Sequence, residues 1–145
     1  MASKLYGQFL QKALNKEVDF DSDTIKVALL TSSYSPNQDT HDYYDDVNTF
    51  EVSGATGYTA GGITLSSKTS TYDSANNVII LDAADVTWSS STITARYAVV
   101  YDDSPATNGT KPLIGYVDFG SDQSSTNGNF TITWDATGIV RITVA

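Results

Sequence analysis

The chain reads as a mainly β protein, an antiparallel β-sandwich or open barrel with one N-terminal α-helix. Three observations predict this. Apolar residues alternate with polar ones at Ile25, Val27 and Leu29, and again at Phe130, Ile132 and Trp134, the period of a strand with one buried face. Ser and Thr supply about a quarter of the residues; Thr suits half-buried pleated surfaces, and Ser suits turns. Turn formers such as Asn108-Gly109 and Pro112 separate several short strand-like runs, the spacing of a sandwich or barrel.

The elements follow in order. Leu5, Phe9, Leu10 and Leu14 gather on one face of a helix over 1–16, with Ser3 as its cap and Asn15-Lys16 at its end. That face is expected to cover an open end or edge of the protein's own sheet, with a neighbouring subunit as the functional alternative. From Asp23 the period changes to two, and Ile25, Val27 and Leu29 open the first strand, set against Thr24, Lys26 and Ala28. Segment 32–57 is polar and without period, a long excursion of the kind that often carries function. Strands are then expected over 62–72, 77–82, 86–88, 93–101 and 113–119. Ile93, Ala95, Tyr97, Val99 and Tyr101 are expected to share a face, and Trp88, Trp134 and Tyr97 to be core. A closing hairpin joins Phe130, Ile132 and Trp134 through a turn at 135–138 to a strand over 139–144. With no internal repeat and no linker, residues 1–145 are expected to form one domain.

Composition narrows function. The net charge is −9, from 17 acidic and eight basic residues, and a surface of that sign repels phosphate backbones. No apolar run is long enough for a membrane helix, and 1–16 lacks the apolar core and cleavage site of a secretory signal. Neither nucleic acid nor membrane is therefore an expected partner, and the chain is expected to be made in a cytoplasm. Asn108 and Asn129 head glycosylation sequons that carry no weight in that setting. There is no cysteine, which removes disulfides, thiol nucleophiles and thiolate metal sites.

Candidate chemistry is sparse. His41, the single histidine, stands among Asp39, Asp42, Asp45 and Asp46, a set able to attract a divalent cation, but its spacing matches no known loop. Asp19, Asp21 and Asp23 copy the opening of an EF-hand, yet Thr24 and Leu30 stand where its glycine and bidentate glutamate belong. No G-x-S-x-G elbow occurs. The two glutamates, Glu17 and Glu51, sit in no aromatic cleft signature. No catalytic residue, cofactor or metal ligand is assigned, and no enzymatic activity is expected. Nine tyrosines remain, of which Tyr43, Tyr44 and Tyr58 lie in the excursion, where such rings anchor protein interfaces or stack on sugars.

The order VALLTSSYSPNQDTHDYY at 27–44, EVSG at 51–54 and GYTAGGITL at 57–65 resembles small structural proteins encoded beside capsid and tail genes in tailed bacteriophages. The resemblance continues through DAADVTWSSSTITARYAVVYDD at 82–103 and NFTITWDATGIVRITVA at 129–145, so it covers nearly the whole chain. It implies a non-enzymatic virion component, foremost a decoration or cement protein stabilising the capsid shell. The expected partners are the major capsid protein or neck and tail proteins, together with copies of the chain in a homo-oligomer. A neck or tail subunit, such as a tail-tube or terminator protein, is the alternative, and a carbohydrate-binding module of a receptor-binding fibre is the alternative of another class. The expected subunit interface is Tyr34, Asp39, His41, Tyr43, Tyr44 and Tyr58.

Overall fold

Period-two burial along the strands sets the architecture of the computed structural model, which describes residues 2–144. In chain order the elements are β1 (Ala2–Leu5), α1 (Phe9–Leu14), β2 (Ile25–Leu30), β3 (Ile63–Thr64), β4 (Thr69–Asp73) and β5 (Val78–Asp82). They continue with β6 (Val86–Ser91), β7 (Thr94–Asp102), β8 (Leu113–Ser124), β9 (Gly128–Ile132) and β10 (Val140–Thr143). All strand pairs are antiparallel. A five-stranded sheet has the order β1-β8-β7-β2-β3, and two smaller sheets, β10-β5-β4 and β6-β9, complete the molecule.

The smaller sheets pack against one face of the large one, as in a sandwich. Ile25, Val27 and Leu29 of β2, Ala98 and Val100 of β7 and Ile114 of β8 meet Leu81, Val86, Trp88, Phe130, Ile132 and Val140 there. The opposite face of the large sheet is also covered. Ala28 and Leu30 of β2 and Val99 and Tyr101 of β7 are buried under Tyr6, Tyr34, Tyr44 and Val47. Segment 32–57 supplies most of that cover, through single 3-10 turns at Tyr44–Asp46 and Asn48–Phe50. β2 is therefore apolar on both sides, which explains why Ala28 and Leu30 join the alternating set in a continuous run.

Gly62 shows how tightly the excursion returns to the sheet. Its φ is +75°, and a Cβ there would stand 1.8 Å from the Val27 carbonyl oxygen, so no other residue fits.

Four expectations are corrected. The helix expected over 1–16, part of which falls on Met1 outside the described residues, is confined to Phe9–Leu14. Ser3, Lys4 and Leu5 pair instead with Val117, Tyr116 and Gly115, covering an edge of β8 that a helix would leave bare. Ser3 therefore caps nothing; Gln8 takes the N-cap without a side-chain bond, and Asn15 is the C-cap. The inward face of α1 is made by Phe9, Lys12 and Ala13, while Leu10 and Leu14 are exposed.

The strand expected over 62–72 is two strands, broken at Ser67, whose φ is +52°. β3 joins the large sheet, and β4 an outer one.

The shared face of β7 is divided by an irregularity. Ala95 lies opposite Gln123 but Tyr97 opposite Asp118, so Arg96 faces the whole run 119–122 of β8. Across that bulge the alternation slips by one residue. Ile93 and Ala95 face the sandwich core with Ala98 and Val100, whereas Tyr97, Val99 and Tyr101 face the other side. Arg96 fills the gap by binding Asp118, Nε to Oδ1 at 2.7 Å.

The closing hairpin does not form. β9 pairs with β6, bringing Phe130 opposite Trp88, and β10 pairs with β5, bringing Val140 opposite Leu81. The turn at 135–138 hands the chain from one small sheet to the other. Asp135 Oδ1 accepts from the Thr137 amide and hydroxyl, and the Ile139 amide then reaches Leu81 O at 2.8 Å. Phe130 and Ile132 are buried, whereas Trp134 is half-buried and donates its Nε1–H to Ala84 O at 3.1 Å.

Candidate functional site

The six residues expected at an interface occupy three different environments. Tyr34 is 2% exposed, and its hydroxyl sits between the Tyr6 hydroxyl at 2.8 Å and His41 Nδ1 at 2.9 Å. Its ring meets Tyr97 edge-on, with centroids 5.4 Å apart. Burial pushes the Tyr34 phenol up to about 12, so it stays a neutral hydrogen-bonding group across the physiological range.

Tyr44 and Tyr58 converge on Glu51. Tyr44 is buried with its ring stacked on Tyr101, the centroids 4.0 Å apart and the planes 10° from parallel. Its hydroxyl donates to Glu51 Oε2 at 2.7 Å, and the Tyr58 hydroxyl donates to Oε1 at 2.6 Å. The Gly61 amide adds a third donor to Oε1 at 2.6 Å, and Tyr58 in turn accepts from the Leu29 amide at 3.0 Å. Burial, reinforced by the neighbouring carboxylate, raises both phenols well above their ordinary value. Glu51 thus ties the excursion to β2 and to the turn before β3.

Tyr43 lies outside this network, half-buried over Lys12. The Lys12 ammonium stands 3.5 Å from the centre of its ring and 3.2 Å from Asp42 Oδ2, while the Tyr43 hydroxyl donates to Glu17 Oε2 at 3.0 Å. Burial works to lower the Lys12 ammonium, but its bonds to Tyr43 and Asp42 outweigh this and hold it above the usual lysine value. Asp39 is exposed in the segment, where its amide donates to Asn37 Oδ1 at 3.1 Å. The carboxylates near His41 disperse: Asp42 turns to Lys12, and Asp46 Oδ2 accepts the Asp42 and Tyr43 amides at 2.8 and 3.3 Å. Among the described residues no three His, Cys, Asp or Glu side chains converge as a metal site.

The sequence reading missed Glu51 and the outward leucines. The spacing of Tyr44, Glu51 and Tyr58, seven residues each way, was the available signal for the first. Leu10 and Leu14 are 40% and 85% exposed, and stand one helical turn apart on the outer side of α1. Elsewhere, a cleft of about 480 Å³ opens between the β1–β8 side of the large sheet and the β9–β10 connection. Leu5, Val117, Ile132, Trp134 and Ile139 line it, and Arg141 at its rim is bound to Thr137 O at 3.1 Å. Among the described residues no helix is long and apolar enough to cross a membrane.

The fold defines the class as a mainly β, antiparallel sandwich-like protein with a short N-terminal helix. No family model, characterised protein or solved structure matches the chain.

Proposed function

We propose that this chain is a non-enzymatic structural subunit of a tailed-phage virion, attached to the outside of the capsid as a decoration protein. The observation that carries the reading is the Leu10–Leu14 pair, two large apolar side chains held outward on a helix anchored by Phe9 and Lys12. Large aliphatic side chains stabilise a contact once it removes them from water, by about 1.5–3 kcal/mol each when fully buried. The sequence resemblance supports the virion setting, and the net charge of −9 favours a position away from packaged DNA. Tyr34 and Tyr44 support the fold from inside, while α1 adds Leu10 and Leu14 to the proposed contact surface beside exposed Asp39 and half-buried His41 and Tyr43.

The test is co-sedimentation of the purified protein with empty phage shells and with isolated tails. Retention on shells is expected, and Leu10→Ser with Leu14→Ser should weaken it by about tenfold or more. Retention on tails alone would replace the capsid position with the neck or tail reading. Binding to neither, with binding to immobilised glycans, would overturn the structural reading.

A further inference from the structure

Asp102 closes β7, is fully buried, and has one oxygen without a partner. Its Oδ1 accepts the Ser104 amide at 2.8 Å, while Oδ2 meets no donor among the described residues. Loop 19–24 stands against this turn, the Thr24 amide donating to Ser104 Oγ and the Asp103 amide to Thr24 O, and Asp23 is among the groups that raise the Asp102 carboxyl. Two carboxylates cannot bond each other, because both only accept; a carboxylic acid and a carboxylate can. We propose that Asp23 and Asp102 share one proton, which latches loop 19–24 onto turn 102–104 and loosens that joint when it is lost.

The surroundings favour a proton over a metal ion. Lys68 donates its ammonium to the Asp23 carbonyl, which holds a positive charge on the same loop. Asp19 Oδ1 accepts the Asp21 and Ser22 amides, and the Asp19 amide donates to Asp23 Oδ2 at 2.6 Å. Asp103 is taken by Lys26 and Lys111, each at 2.7 Å. The same joint is closed by the Thr24 amide on Ser104 Oγ and the Asp103 amide on Thr24 O, both at 2.8 Å. Loop 19–24 leads directly into β2, so the latch sits where the N-terminal elements join the large sheet.

Burial pushes the Asp102 carboxyl up to about 6, opposed by its bonds from Ser104 and reinforced by Asp23. A carboxyl raised in the folded state contributes stability that is fully present below its unfolded value, near 3.9, and is lost as pH rises through about 6. Asp103 has the opposite sign. Although partly buried, it is held below the usual range by Lys111 and Lys26, so its contribution disappears only in acid.

The experiment follows amide exchange at Thr24, Asp103 and Ser104 between pH 4.5 and 7.5, corrected for intrinsic rates. Protection should fall by about tenfold or more on raising the pH, one pKa unit being a factor of ten. Asp102→Asn, which keeps an oxygen for Ser104 and gives Asp23 a donor, should remove that dependence. If Asp102→Asn does not fold, the Asp102 carboxyl-carbon titration in the parent and in Asp23→Asn decides. A midpoint near 6 that falls in Asp23→Asn supports the latch; a midpoint below about 4.5, or one that Asp23→Asn leaves unmoved, overturns it. Protection independent of pH in the parent, or equally dependent in Asp102→Asn, overturns it as well.

Discussion

The two faces of the five-stranded sheet are closed by different chemistries. On the sandwich side, Ile25, Val27, Leu29, Val100 and Ile114 meet Trp88, Phe130 and Ile132, and cohesion comes from apolar area and shape. On the other side the cover is Tyr6, Tyr34 and Tyr44, supplied by the chain around β1 and by the excursion, with hydroxyls bound to one another, to His41 and to Glu51. Strands can face an apolar layer because their backbone groups are already paired. A segment without regular structure brings unpaired backbone and polar side chains, and tyrosine lets it contribute large apolar area while its hydroxyl satisfies them.

The comparison predicts a graded response to substitution. Trp88→Ala in the sandwich core should destabilise by about 3–5 kcal/mol in denaturant unfolding. Trp88 Nε1 is itself buried without a partner, so Trp88→Phe should cost clearly less than Trp88→Ala despite losing ring area. Equal losses for the two would mean that the aliphatic side depends on the indole nitrogen after all. Tyr34→Phe on the opposite face keeps the ring but strands the Tyr6 hydroxyl, and about 1–2 kcal/mol is expected. A loss as large as that of Trp88→Ala would show that the hydroxyl network, not area, holds that face. Smallest of all, Leu14→Ser should change stability by no more than about 0.5 kcal/mol, because the side chain already faces water. A larger loss by thermal melting would mean that α1 packs its outer side within the same chain.

The strands were legible as apolar runs bounded by turn residues. β5 and the start of β8 follow their expected ranges closely, and β2 and β7 were placed correctly in outline. Partner choice was not legible. Phe130 and Ile132 carry a strand pattern, but nothing in it distinguishes β6 from β10 as neighbour, and the separation is set by the second layer of the sandwich. The slip at Arg96 was hidden because residues on both sides of it remain apolar. At the N-terminus, Leu5, Phe9, Leu10 and Leu14 fit a helical face, yet β8 competes for the first of them and wins. Long-range pairing overrides local period there, and the short helix that remains turns Leu10 and Leu14 outward. Tyr34 and Tyr44 both stand in the expected interface set, but local composition does not show whether a ring points in or out.

The pairing of β1 with β8 has a consequence for how the molecule is made. Ala2 lies opposite Asp118, and Leu5 opposite Gly115, so the first strand waits for a partner near the far end of the chain. Until that stretch has emerged from the ribosome, residues 2–5 have no place to dock, and the large sheet lacks an edge. Contacts of such long sequence separation slow folding, toward the millisecond-to-second range of all-β domains. During that interval the bare edge of β8 is a template for mispairing between nascent chains, so refolding yield should fall with protein concentration more steeply than stability alone would suggest.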